Sequence, residues 1–161
     1  MRRRATRRSS SNGFGRRTSG GGVTLVCDSS VVIAALNRRD PDHDRCANLL
    51  STSSATTIPA PVIVEVDWVA RSRGAATAID ALLASIDERD VIVVNLDEED
   101  YRRVRALQRR YADLPLEFVD AAVVAIAERL EQTTIATLDR RHFSVIQPLH
   151  APAFELVPSL D

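Results

Sequence analysis

Four carboxylates stand where a folding chain ordinarily places apolar side chains. Asp28 follows the run Val23-Thr24-Leu25-Val26-Cys27, and Glu65 interrupts Val62-Ile63-Val64-Glu65-Val66. Asp120 lies inside Phe118-Val119-Asp120-Ala121-Ala122-Val123-Val124, and Asp139 follows Thr134-Ile135-Ala136-Thr137-Leu138. A carboxylate withdrawn from water must be paired, protonated or bound to a cation, because an unpaired buried charge is costly. Four such residues spread along one chain point to a divalent-cation site built from distant segments.

Spacing sorts the four from their neighbours. Val62, Trp68 and Val69 lie three or four residues from Glu65, which assigns Glu65 to the apolar face of a helix. Asp67 sits four residues before Arg71, the spacing of an ordinary surface pair. Residues 118–127 hold no polar side chain except Asp120, so that helix is expected to be buried nearly all round. Asp113, Glu117 and Asp120 fall on roughly one stripe, with Pro115 placed for the first turn of the same helix. Glu117 or Asp113 is thus a candidate for a water-mediated ligand, although acids at a helix start are also favourable for structural reasons alone. Asp28 and Asp139 each have an ordinary reading as an N-cap, Asp28 for the helix after Ser29-Ser30 and Asp139 for the turn Arg140-Arg141-His142-Phe143. The joint occurrence of all four is what asks for a common cause.

Hard, all-oxygen ligands suit Mg²⁺ or Mn²⁺, whereas zinc favours closely spaced His and Cys. His43, His142 and His150 form no such cluster. His43 reads as part of an exposed acidic loop and His150 as a surface loop residue, while His142 follows Asp139 closely enough to approach a substrate. With no lysine in the chain there is no Gly-x-x-x-x-Gly-Lys phosphate loop, and neither Gly-x-Gly-x-x-Gly nor a Gly-x-Ser-x-Gly elbow occurs. An aspartyl-phosphate phosphatase would want a second aspartate two residues after the first, where this chain has Ser30.

The elements that must position these residues alternate. Strands are expected at 23–27, 55–58, 91–94, 134–137 and 153–157, and helices at 30–37, 42–52, 61–72, 75–87, 98–111 and 117–131. This alternation predicts an α/β domain with a parallel sheet. Sites in such sheets form beyond the carboxyl ends of strands, the position of both Asp28 and Asp139.

Composition bounds the rest. The 161 residues, 45% hydrophobic, suit one domain over 23–161. Segment 1–22 carries seven arginines and no acid, a disordered composition that reads as an RNA-binding arm, an extended start or an expression remnant. Of 21 arginines, 14 remain to face 22 acids in the body, a balance of −8 beneath a net charge of −1. An acidic body argues against bulk electrostatic binding of nucleic acid, yet a bound divalent ion would still attract phosphate. No apolar run approaches a membrane span or signal segment, so a soluble intracellular protein with two buried thiols, Cys27 and Cys46, is expected.

Taken together, Asp28-Ser29-Ser30-Val31, Glu65 in Pro61-Val62-Ile63-Val64-Glu65-Val66, Asp120-Ala121, and Thr137-Leu138-Asp139-Arg140-Arg141-His142-Phe143 resemble a PIN-domain ribonuclease of the VapC toxin type, over Val23 to about Val157. The resemblance implies a three-layer α/β/α fold and a cytoplasmic Mg²⁺- or Mn²⁺-dependent endoribonuclease. It also implies a homodimer neutralised by a VapB-type antitoxin. Asp28, Glu65, Asp120 and Asp139 match the family's acidic residues, and Ser29 and Thr137 its hydroxyl positions. Metal-assisted hydrolysis follows, with one or two ions, about 4 Å apart if two. Glu65 is either a ligand or the base that orients water. Arg38, Arg39, Arg140 and Arg141 are candidates to grip phosphate bidentately. The basic tail departs from the family pattern. Two other readings stand beside this one: a protein-interaction module using the same fold without catalysis, and a nuclease or phosphatase acting on another phosphate substrate.

Overall fold

A computed structural model describes residues 24–159 of the chain, so the arginine-rich segment 1–22 lies outside the described residues. Five strands form one all-parallel sheet: β1 (Thr24–Cys27), β2 (Ala55–Pro59), β3 (Ile92–Val94), β4 (Thr134–Ala136) and β5 (Glu155–Val157), in the order β3-β2-β1-β4-β5. β1 is central. Leu25, Val26 and Cys27 are fully buried, as a strand covered on both faces must be.

Helices supply every crossover. α1 (Ser29–Leu36) and α2 (His43–Thr52) join β1 to β2, while α3 (Ala60–Ser72) and α4 (Ala76–Asp87) join β2 to β3. α5 (Glu98–Arg110) and α6 (Phe118–Arg129) return from β3 to β4, and the four-residue α7 (Arg140–Phe143) leads towards β5. Right-handed crossovers place α1–α4 on one face of the sheet and α5–α6 on the other, giving three layers. Pro59 and Pro61 open α3, where a missing N–H costs nothing. Gly74 closes it at φ +69°, donating its N–H to the Arg71 carbonyl.

Element boundaries differ from expectation by one or two residues, and Pro115 falls outside the helix expected to hold it. Pro115 lies in the turn that precedes α6, whose first helical residue is Phe118 and whose N-cap is Glu117. From Ala121 to Ala127 every side chain of α6 is buried, as the unbroken apolar run requires.

The aromatic residues divide. Phe143 and Phe154 belong to the core, but Trp68 is 71% exposed and Tyr101 and Phe118 are also open to solvent. Trp68 therefore does not share a buried face with Glu65. The face of α3 that enters the core carries Val62, Val66 and Ala70, and Val64 and Trp68 turn away from it. Cys27 and Cys46 are buried free thiols, each with its pKa pushed up chiefly by burial, Cys46 to about 11.

Candidate functional site

β1 and β4 are neighbours, so the residues that follow them meet at one end of the sheet. The Asp28 N–H donates to the Ala136 carbonyl, which extends the β1–β4 ladder one step past the strands. Asp28 is then the N-cap of α1 and only 4% exposed. Its Oδ2 accepts the Ser30 hydroxyl at 2.7 Å and, less closely, the Ser30 N–H at 3.4 Å. The Thr137 hydroxyl, fully buried, lies 3.0 Å from both that oxygen and the Asp139 carbonyl. Its proton is thus shared between a carboxylate and a carbonyl acceptor. Ser30 Oγ also accepts the Leu138 N–H at 2.9 Å, tying the start of α1 to the segment after β4.

Asp120 stands in the first turn of α6. Its Oδ2 lies 2.8 Å from His142 Nδ1 and accepts the Glu117 N–H at 3.3 Å. Burial pushes the Asp120 pKa up to about 6; His142 opposes the shift and Asp28 adds to it. Glu65, half-buried on α3, is raised as well. Burial is the main cause, a hydrogen bond from Ser29 works against it, and Asp28 and Glu117 add repulsion. Asp28, Glu65, Asp120 and Glu117 thus share one electrostatic neighbourhood in which negative charges resist one another.

Asp139 is placed differently. It caps α7 and lies under the Arg141 guanidinium, which holds its pKa down to about 2. Arg141 is largely exposed and also feels Asp120. Arg140 is committed elsewhere: it donates to the Leu156 and Pro158 carbonyls and secures edge strand β5. Arg38 and Arg39 follow the C-terminal end of α1, whereas Asp28 caps its N-terminal end.

Two histidines are less exposed than their loops promised. His43 begins α2, half-buried, with Nδ1 3.1 Å from the Ala34 carbonyl near the end of α1. His150 places Nε2 3.0 Å from the Gln132 carbonyl and its ring edge-on to Phe154.

Among the described residues no three acidic, histidine or cysteine side chains close on one point as a formed metal cage would. The donor set nevertheless fits a divalent ion. Asp28, Glu65 and Asp120 offer hard oxygen, Asp28 repels both of the others, and the groups that orient them are hydroxyls, an imidazole and backbone N–H. Beside them runs a groove of about 650 Å³ bordered by Glu65 and by the apolar Val64, Trp68, Leu96, Tyr101 and Phe118.

Sequence reasoning missed the double role of Ser30 and the bond from His142 to Asp120. For Ser30 a signal existed, since an N-cap carboxylate bonds the residue two positions on. No local pattern in the sequence links His142 to a side chain 22 residues earlier.

Comparison with known proteins agrees with this architecture. Over 135 residues the chain is 27% identical to Ribonuclease VapC26 of Mycobacterium tuberculosis, covering 83% of this chain and all of that protein. Among solved structures, M. tuberculosis VapC20, described as a sarcin-ricin loop cleaving toxin, superposes with a TM-score of 0.66 at 19% identity, covering 73% of this chain and 91% of that one. VapBC2 of Rickettsia felis, solved on a DNA fragment from its promoter, gives 0.63 at 14% identity, covering 84% of this chain and all of the matched chain. A toxin–antitoxin complex from Klebsiella pneumoniae gives 0.59 at 18% identity, with coverages of 82% and 100%. The family model described as the PIN domain matches residues 25–147, which span β1 to the residues just past α7 and include all four carboxylates. The chain belongs to the PIN domain family.

Proposed function

We propose that this protein is a divalent-metal-dependent endoribonuclease and the toxin of a toxin–antitoxin pair. The observation that carries the reading is the group Asp28, Glu65 and Asp120: three carboxylates at one sheet end, with Asp28 repelling both of the others. A site that must be neutralised by something it binds has this character. Asp28, Asp120 and Glu65 would hold Mg²⁺ or Mn²⁺, with Asp139 reached through water. The ion, when bound, supplies a low-pKa water and neutralises charge developing on the phosphate.

The chain's own groups do the positioning. Ser30 and Thr137 fix Asp28, and Ser29 holds Glu65, which either ligates or orients the attacking water. Glu117 adds negative potential at the rim. Arg141, exposed and hydrogen-bonded to Asp139, is placed to exchange that partner for an RNA phosphate.

The names of the relatives support the substrate and partner classes: a ribonuclease, a sarcin-ricin loop cleaving toxin, and toxin–antitoxin complexes. On this reading the protein acts on RNA in the cytoplasm, as a homodimer, and is silenced by a VapB-type antitoxin. No helix among the described residues is long and apolar enough to cross a membrane. The deciding experiment incubates purified protein and its Asp120→Asn variant with RNA, single-stranded DNA and a phosphate monoester, in Mg²⁺, Mn²⁺ or EDTA. Cleavage of RNA alone, lost in EDTA and in the variant, is expected; unchanged cleavage by Asp120→Asn would sink the assignment.

A further inference from the structure

We infer that His142 is a positioning residue for metal uptake: it fixes the rotation of the Asp120 carboxylate through Nδ1–H donated to Oδ2. The inference rests on the metal-dependent reading above. Three observations carry it. His142 is only 8% exposed, and its Nδ1 stands 2.8 Å from Asp120 Oδ2. Because an ionised carboxylate only accepts, Nδ1 is the nitrogen that bears hydrogen. The second bond to Asp120, from the Glu117 N–H, is longer at 3.3 Å and reaches the same oxygen. Both bonds therefore hold Oδ2 and present Oδ1 to a cation.

Asp28 uses the same device, with Ser30 and Thr137 gathered on its Oδ2. A ligand carboxylate held on one oxygen by fixed donors binds a metal with little reorganisation, and loss of such a donor typically weakens binding about 10- to 100-fold. The imidazole is itself anchored. Its helical neighbour Phe143 is 2% exposed in the core, and Asp139 caps the same short helix by accepting the Arg141 N–H. The segment from Thr137 to His142 thus touches three carboxylates: Thr137 bonds Asp28, Asp139 is the second, and His142 bonds Asp120.

The test measures Mn²⁺ affinity of the full-length protein by isothermal titration calorimetry, with melting temperature recorded for each variant. His142→Phe keeps a planar ring but donates nothing, and should weaken Mn²⁺ binding by about 10- to 100-fold while the protein stays folded. His142→Asn returns an N–H near the position of Nδ1 and should recover most of that loss. Equal affinity in wild type and a folded His142→Phe overturns the positioning role and leaves the metal reading standing, whereas a wild-type protein that takes up no Mn²⁺ overturns both. Nitrogen-15 NMR of the wild-type ring in Mg²⁺ decides independently if the Phe variant fails to fold. A protonated Nδ1 is expected, and an unprotonated Nδ1 overturns the inference.

Discussion

Among the described residues, carboxylates largely withdrawn from water occur in two regions and are treated in opposite ways. Between α5 and α6, Glu128 accepts two hydrogen bonds from Arg103, at 2.6 and 2.8 Å, and Asp100, 3% exposed, accepts Arg129 at about 3.0 Å. At the ends of β1 and β4, Asp28 and Asp120 are met by hydroxyls, an imidazole and backbone N–H. A guanidinium cancels a carboxylate's charge in place and leaves nothing to bind. Hydroxyl and backbone N–H donors fix the direction of a carboxylate while leaving most of its charge available. The first arrangement holds two helices together; the second holds ligands ready.

The sharpest way to break the contrast is to remove an arginine from the helix pair. Arg103→Leu leaves Glu128 buried without its counter-ion, and urea denaturation should show a loss of about 3–5 kcal/mol. The Leu149 N–H, which also bonds Glu128, is too weak a partner to replace it. A loss under 1 kcal/mol would mean that Glu128 tolerates isolation, and the two regions would no longer differ in kind.

At the sheet end the corresponding donor is a hydroxyl. Thr137→Val preserves shape in a fully buried position but removes the bond to Asp28 Oδ2 and the acceptor for the Asp139 N–H. The expected cost is about 1–3 kcal/mol by the same measurement, smaller than for Arg103 because no counter-charge is lost. Mn²⁺ affinity should fall with it, a readout that Arg103→Leu should leave alone in the folded protein.

How far this contrast could be read from the sequence depends on whether it is local. Among the described residues, the alternation of apolar runs and helical periods located all five strands and six of the seven helices, because burial on both faces leaves a strand such as β1 no freedom in composition. α7 was legible only as a capped turn after Asp139. Asp28 and Asp120 stood out because acids inside apolar runs are rare. Asp100 did not stand out: it lies in the acidic first turn Glu98-Glu99-Asp100, where acids are favourable anyway, and its burial comes from α6 packing across it. Trp68 misled in the other direction. Helical spacing places it beside Glu65 but does not say whether that flank meets the core or an open groove. Apart from the local bonds of Ser30 to Asp28 and Arg141 to Asp139, which acids receive arginine and which receive hydroxyls is a tertiary fact, set by contacts 25 to 109 residues apart in sequence.

Asp120 reverses the sign of the effect. Its pKa is raised from 3.8 when unfolded to about 6 in the folded chain, so the folded state keeps its proton to higher pH. Without metal, stability should fall as pH rises from about 4 to 6 and remain reduced above that. Asp120→Asn removes this slope and should stabilise the metal-free protein at pH 7 by on the order of 1 kcal/mol, after allowing for the solvent that reaches a partly exposed carboxylate. Denaturation of both proteins from pH 4 to 8 checks it. A flat wild-type profile would place Asp120 with the neutralised acids of the helix pair.

The smallest effect is expected at Asp139, the member of the site that does have an arginine. Arg141 holds its pKa at about 2 against an ordinary 3.8, so its contribution is present above pH 4 and is lost as pH falls through 2. Both partners are substantially open to solvent, which screens the pair, and Asp139→Asn should change stability at pH 7 by less than about 1 kcal/mol. The opposing predictions for Asp120 and Asp139 make the pair diagnostic. Both aspartates neighbour the same short helix, yet the Asn substitution should stabilise at Asp120 and slightly destabilise at Asp139, with a pH slope of opposite sign. If both variants moved stability the same way, the division between neutralised and available carboxylates would fail inside the site itself, where Asp139 is the internal control for Asp120.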